Sequence, residues 1–288
     1  MASGLYSKHL KNKKKLYIRN SILVAVLIIF AIISLFPIVY MIAWSFVPAI
    51  EAASTSYSIF PKSWSLDSYK AFLNFNQYSL RWLWNSVVVA VAVALGNVIF
   101  AGMAGYAFAK IDFKGRKFLF YLVLMAMMIP YQVVQVPLYI LRVSQFQFTN
   151  SYITLILPGV CTSYNIFLAK QFFASIPTAL IESAKLEGCN QFKIYRLIVL
   201  PLSKTILAVM AINTFLGSWN NFFWPFLVTS KDKMFTIQVG LKTFKFANGT
   251  LLSPMMAGAC ISAVPMFILF FSLQKYFLEG VTVGAVKG

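Results

Sequence analysis

Apolar and polar residues fall along this chain in long blocks, not in a short alternation. Crossing ~30 Å of hydrocarbon takes about 20 helical residues. Six blocks are long and apolar enough to be read as such helices: about 21–46, 82–109, 118–141, 151–173, 202–228 and 254–277. The first follows a basic stretch, residues 1–20. Its length argues for a retained span and against a signal peptide, and Pro37 marks a kink. The second opens on Trp82 and Trp84, expected as anchors at the membrane surface. It also carries Gly96, Ala101, Gly102, Ala104 and Gly105, small residues that let helices pack closely in lipid. The third holds Pro130, Gln132, Gln135 and Pro137. Prolines beside amides predict a broken helix whose freed carbonyls face protein or a cavity. The fifth is interrupted by Asn213 and by the run Ser218, Trp219, Asn220, Asn221.

One polar stretch is organised differently from the other connections. Ile176–Pro201 reads IPTALIESAKLEGCNQFKIYRLIVLP. Pro177 suits the first turn of a helix. Ile181, Ala184 and the stem of Lys185 then share one helical face. Gly188 can take a positive φ and Asn190 can cap a second helix, so the spacing predicts a helix–glycine–helix hairpin. Phe192, Tyr195, Ile198 and Val199 give the second helix its own apolar face, and Pro201 marks the entry to the fifth span.

Composition narrows the class. The chain has 288 residues, 60% hydrophobic and 11% charged, which is unlike a water-soluble domain and leaves room for one membrane domain. The fold class is therefore all-α and polytopic, with the membrane domain over 21–288. The net charge of +18 is spread over several short loops without an aromatic-laced patch. Membrane lipid, and not nucleic acid, is its expected partner. Six Lys and Arg precede the first span, four lie in Lys110–Lys117, five run from Lys170 to Lys204, and Lys275 and Lys287 follow. The other eight fall in the alternate segments. This asymmetry predicts six spans with both termini and the 176–201 loop on the cytoplasmic side. Lys231, Lys233, Lys242 and Lys245, in the external loop Thr229–Ser253, run against it.

Chemistry is sparse. His9 is the lone histidine, and Cys161, Cys189 and Cys260 are far apart in sequence, so no metal site or nucleophile–base pair is expected. No Gly-x-x-x-x-Gly-Lys run is present, so no nucleotide cofactor is expected on this chain. The acidic residues lie in loops or near span ends, which argues against an ion-coupled carrier. The expectation is a transport subunit and not an enzyme.

The polar stretch also resembles the cytoplasmic loop of binding-protein-dependent ABC importer permeases. That loop has Glu-Ala-Ala, three residues, Gly, nine residues, then Ile-x-Leu-Pro. Here the matching positions are Glu182, Ser183, Ala184, Gly188, Ile198, Leu200 and Pro201, with Ser183 the one departure. The alternative is a plain interfacial loop whose glycine only turns the chain, with Glu182 placed near a helix N-terminus for its favourable dipole. The run Ser218–Val228 resembles the matching span of carbohydrate permeases, and the ending Leu278–Gly288 resembles maltose-type permeases, where the tail reaches the ATPase dimer. Phe60–Tyr69 resembles the first external loop of sugar-type permeases.

The resemblance implies a permease for a sugar or oligosaccharide in the bacterial cytoplasmic membrane. Its implied partners are a second permease chain, two ATPase subunits carrying ATP and Mg, and an extracellular or periplasmic solute-binding protein. A permease for a non-sugar solute is the alternative. Trp219, Asn220 and Asn221 are the candidates for a substrate path, since amides bond hydroxyls and indoles pack on sugar rings. Helix–helix hydrogen bonding is the plainer reading of Asn213, Asn85, Asn97 and Asn165.

Overall fold

The structure, a computed structural model, describes residues 2–48, 61–141, 149–247 and 252–285. Among these residues its regular elements are all helices, without strands. Three helices are each long and apolar enough to cross a membrane: Arg19–Ser45, Ser79–Lys110 and Leu252–Lys275. Three bent pairs pass the same test together, which gives up to six spans.

The chain divides into two compact units. The first comprises residues 1–72 and 251–260. Its long helix α1 (Ala2–Ser45) takes in both the basic stretch and the first candidate span, Arg19–Ser45. Side chains such as Leu27 and Phe30 stand exposed on α1, as lipid contact requires. At its C-terminal end Ser45 and Tyr69 share a hydrogen bond of 2.8 Å, and Ser68 donates to the Val47 carbonyl at 2.5 Å. These contacts hold α2 (Asp67–Phe75) against the end of the span. The resemblance over Phe60–Tyr69 falls partly on residues outside those described.

The second unit, residues 73–250 and 261–288, holds the remaining elements. Helix α3 (Ser79–Lys110) is its axis. Trp82, Asn85, Ser86, Val89, Ala90 and Val93 are buried at helical spacing along one side. Trp82 is thus not a surface anchor: Gly240 lies flat on its indole, where any Cβ would collide with the ring, and its Nε1 donates to the Asp232 carbonyl at 2.8 Å. Trp84 stays exposed. The element that covers Trp82 is α12 (Ile237–Ala247), a helix in the segment Thr229–Ser253 expected to be a loop. Residues 248–251 of that segment lie outside the described residues.

Each break has a local cause. Helices α4 (Arg116–Met128) and α5 (Tyr131–Ile140) meet at 96°. Ile129 is forced to an extended conformation by the proline after it, and Pro130 has no amide hydrogen to continue the ladder. Helices α6 (Tyr152–Gly159) and α7 (Ser163–Ala174) meet at 43°, with Thr162 capping α7. Helices α8 (Thr178–Leu186) and α9 (Gln191–Leu202) form the polar stretch, and α9 meets α10 (Lys204–Trp219) at 83°. The fifth block, 202–228, is not one continuous helix. It bends at Ser203, ends at Trp219, and resumes as α11 (Phe223–Val228). Helix α13 (Leu252–Ala285) runs on into the C-terminal tail, of which residues 286–288 lie outside those described.

Two π-turns interrupt otherwise regular helices, at Asn97–Ala101 in α3 and Tyr195–Val199 in α9. In the first, the Asn97 side chain donates to the Val93 carbonyl at 3.1 Å, beside the bond from its own backbone N–H to the same carbonyl. In the second, Pro201 cannot donate to the turn before it.

Candidate functional site

The hairpin α8–α9 is built by local chemistry. Pro177, extended at φ −55 and ψ 129, stands just before the first helical residue and not within the first turn. At the far end Gly188 has φ +79. Its N–H donates to the Lys185 carbonyl at 3.0 Å, and the Cys189 N–H donates to the Ala184 carbonyl at 3.0 Å. This is the double bond of a Schellman turn, which needs a left-handed residue at that position. Asn190 then accepts from the Lys193 N–H at 2.9 Å and starts α9.

The inner face of the hairpin enters the core. Ile181, Ala184, Ile194, Tyr195 and Val199 pack in one cluster with Ala101, Tyr106, Phe173 and Met210. Lys185 and Phe192, expected on these faces, are exposed. Phe192 lies about 100° round the helix from Gln191, off the stripe that Gln191, Ile194 and Tyr195 define. Ile194 takes the place expected for it.

Helix α3 grips the hairpin along one stripe. The Tyr195 hydroxyl rests on Gly102, where a Cβ would come within 2.8 Å of it. Tyr106 donates to Gln191 Oε1 at 2.7 Å. Lys110 Nζ donates to the Ile176 carbonyl at 2.5 Å and the Ala174 carbonyl at 3.3 Å, closing the C-terminal end of α7. Beside this stripe Gly105 lets α3 and α7 touch, for a Cβ there would meet Ala169 Cβ at 2.5 Å.

The outer face of the hairpin is open. Glu182 is exposed and lies one turn inside α8, not at its N-terminus, so the helix dipole does not account for it. Ser183 returns its hydroxyl to the Leu180 carbonyl, which suits a serine at this helical site. Leu186 is 91% exposed, with Leu180, Phe192 and Leu197 also exposed on α8 and α9. Ile198 and Leu200 are half-buried, and Pro201 is exposed.

A cleft of about 490 Å³ lies within the second unit, bounded by α3, α5, α6, α7, α10 and α11. Asn221 lines it, with its Oδ1 accepting from the Trp224 N–H at 3.3 Å. Asn220 is exposed and outside its wall, and Trp219 is buried, stacked on Phe215 at 5.5 Å. Of the three residues expected on a path, the structure brings only Asn221 to the cleft. Asn213 and Asn165 line it too. Asn213 is exposed and not buried in a helix contact as its sequence context suggested. Its register with Gly217 and Asn221, four residues apart, was the signal available in the sequence.

Asn85 and Asn97 are packing residues, as expected. Asn85 donates to the Lys233 and Phe235 carbonyls and accepts from Tyr152 at 2.6 Å. Asn97 donates to the Gly159 carbonyl, and its Oδ1 accepts from Thr162 N–H, Thr162 Oγ1 and Asn165 Nδ2, each at 2.9 Å.

Residues 97–283 match the family described as binding-protein-dependent transport system inner membrane component. The chain belongs to that family. It is the membrane component of a transport system, and a multi-pass membrane protein. It is 37% identical to the arabinooligosaccharides transport system permease protein AraQ of Halalkalibacterium halodurans, over 90% of this chain and 93% of that one. It is 32% identical to the sn-glycerol-3-phosphate transport system permease protein UgpE of Brucella abortus, over 88% and 93%. It is likewise 32% identical to the galactooligosaccharides transport system permease protein GanQ of Bacillus subtilis, over 96% and 98%. Its fold matches a chain in the crystal structure of a bacterial ABC transporter involved in the import of the acidic polysaccharide alginate. The TM-score is 0.77, with 22% identity over 89% of this chain and 96% of that one.

Proposed function

We propose that this chain is the permease subunit of an ATP-driven importer that moves a sugar or oligosaccharide across the bacterial cytoplasmic membrane. Both termini and the 176–201 hairpin face the cytoplasm. A second permease chain completes the pathway, and an external solute-binding protein delivers the substrate. Two ATPase subunits bind ATP and Mg and dock on the hairpin. The observation that carries this reading is the hairpin itself, with its inner face locked into the core and its outer face presenting Glu182, Leu186 and Phe192 to solvent. Exposed leucine and phenylalanine on a short surface element suit a protein partner. The saccharide is supported by the oligosaccharide systems for which two of the relatives are named. The cleft bearing Asn213 and Asn221 is the part of the path that this chain supplies.

The test is Glu182→Lys. Glu182 has no ion pair among the described residues and is exposed, so reversing its charge leaves the fold of this chain unchanged. We expect the variant to insert and melt like the parent while substrate-stimulated ATP hydrolysis in proteoliposomes falls at least tenfold, by loss of ~1.4 kcal/mol or more of docking energy. Normal ATPase co-purification together with normal stimulation would remove the hairpin as the coupling element.

A further inference from the structure

We infer that the cleft accepts an uncharged, hydroxyl-rich solute and rejects anionic ones such as uronates and sugar phosphates. This rests on the proposed reading of the cleft as part of the path. Among the described residues that line it, none is Asp, Glu, Lys, Arg or His. Its polar groups are amides and hydroxyls, and its walls are otherwise apolar, with Leu155 and Trp224 among them. The volume is within the ~300–1,000 Å³ of small-molecule sites.

The backbone fixes which way the amides in the wall face. Asn97 Nδ2 donates to the carbonyls of Val93 and Gly159, so its Oδ1 must face Thr162 and Asn165. Asn165 must then present Nδ2 to that oxygen, and the same nitrogen donates to Thr214 Oγ1 at 2.8 Å. Asn165 Oδ1 is left as a buried acceptor without a donor among the described residues. The nearest cations on the lining helices are displaced. Lys170 lies five residues beyond Asn165, ~7–8 Å by the helical rise, and its ammonium sits 4.7 Å from the centre of the Phe120 ring. Lys204 lies nine residues before Asn213, ~13 Å away along α10. A carboxylate or phosphate entering the cleft would lose hydration with no counter-charge to replace it. A neutral sugar exchanges hydroxyl bonds with water for bonds with Asn213, Ser218 and Asn221, while its C–H faces meet the apolar walls.

The test uses Ser218→Cys, a near-isosteric change on the cleft wall, in a chain whose Cys161, Cys189 and Cys260 are replaced by serine. The variant is assembled with its partner subunits in proteoliposomes, without the binding protein, which would impose a selectivity of its own. Thiol labelling is followed with neutral trisaccharides of arabinose, galactose and glucose, and with a galacturonate trimer of equal length. A ligand at ten times its Kd slows labelling of an occluded thiol about tenfold, by the factor 1 + [L]/Kd. We expect that protection from at least one neutral trimer and none from the uronate. Adding Asn213→Lys should make the uronate protective. Equal protection by uronate and neutral trimers would overturn the charge selectivity and leave the path in place. An accessible thiol protected by neither would overturn the path reading and this inference with it.

Discussion

Asn165 donates its side-chain amide to Asn97 Oδ1 across 2.9 Å, joining the π-turn of α3 to the first turn of α7. The same Asn97 oxygen holds both donors of Thr162, and its nitrogen holds the Val93 and Gly159 carbonyls. One fully buried side chain therefore joins the broken α6–α7 pair to the axial helix. Asn97→Ala should cost about 3 kcal/mol or more, since it strands several buried groups at once. The check is thermal unfolding of the detergent-purified chain. A midpoint unchanged from the parent would show that the network contributes nothing net.

Gly188 is constrained by its backbone conformation and not by lack of space. At Gly188 there is open space around a Cβ but φ is +79, so the cost is backbone strain of ~1–2 kcal/mol for most L residues. Asparagine tolerates that region, and valine does not. Gly188→Asn should therefore keep coupled ATP hydrolysis close to the parent, and Gly188→Val should abolish most of it. Equal activity in the two variants would mean that the Schellman turn is not required.

Orientation can be read from two exposed lysines. Lys114 is in the basic turn between α3 and α4, and Lys233 is in the segment that packs on the other end of α3. With the native cysteines removed, Lys233→Cys should react with an impermeant thiol reagent added outside intact cells, and Lys114→Cys should not. The reverse pattern would overturn the proposal that both termini face the cytoplasm.

The hairpin was legible in the sequence because its determinants are local. Pro177, Gly188 and Asn190 act on their own backbone, and the turn they predict is the one observed. The break at Pro130 was legible for the same reason. What the sequence did not disclose depends on which distant element lands on a residue. Trp82 reads as an interfacial anchor until Gly240 is laid over it, 158 residues later in the chain. Asn213 reads as a buried packing amide until the pairing of α10 with α3 and α7 turns it towards a cleft. Trp219 and Asn221 are two residues apart and were read alike. Trp219 is the last residue of α10 and is buried, while Asn221 lies in the break before α11, where the chain brings it to the cleft.

The stripe of Gly102, Tyr106 and Lys110 fixes how motion can pass from the hairpin to the spans. The three positions are four residues apart, so all the attachments lie along one side of a single rod. A displacement of the hairpin is thus applied off the axis of α3, as a torque, and the opposite side of the rod carries none of these attachments. The stripe ends at Gly102, and the π-turn Asn97–Ala101, whose Ala101 packs in the hairpin's cluster, adjoins it. That wide turn separates the part of α3 that the hairpin touches from the part anchored by Trp82 and Asn85. A push on the hairpin would therefore reach the second span as a twist applied on one side of the π-turn only.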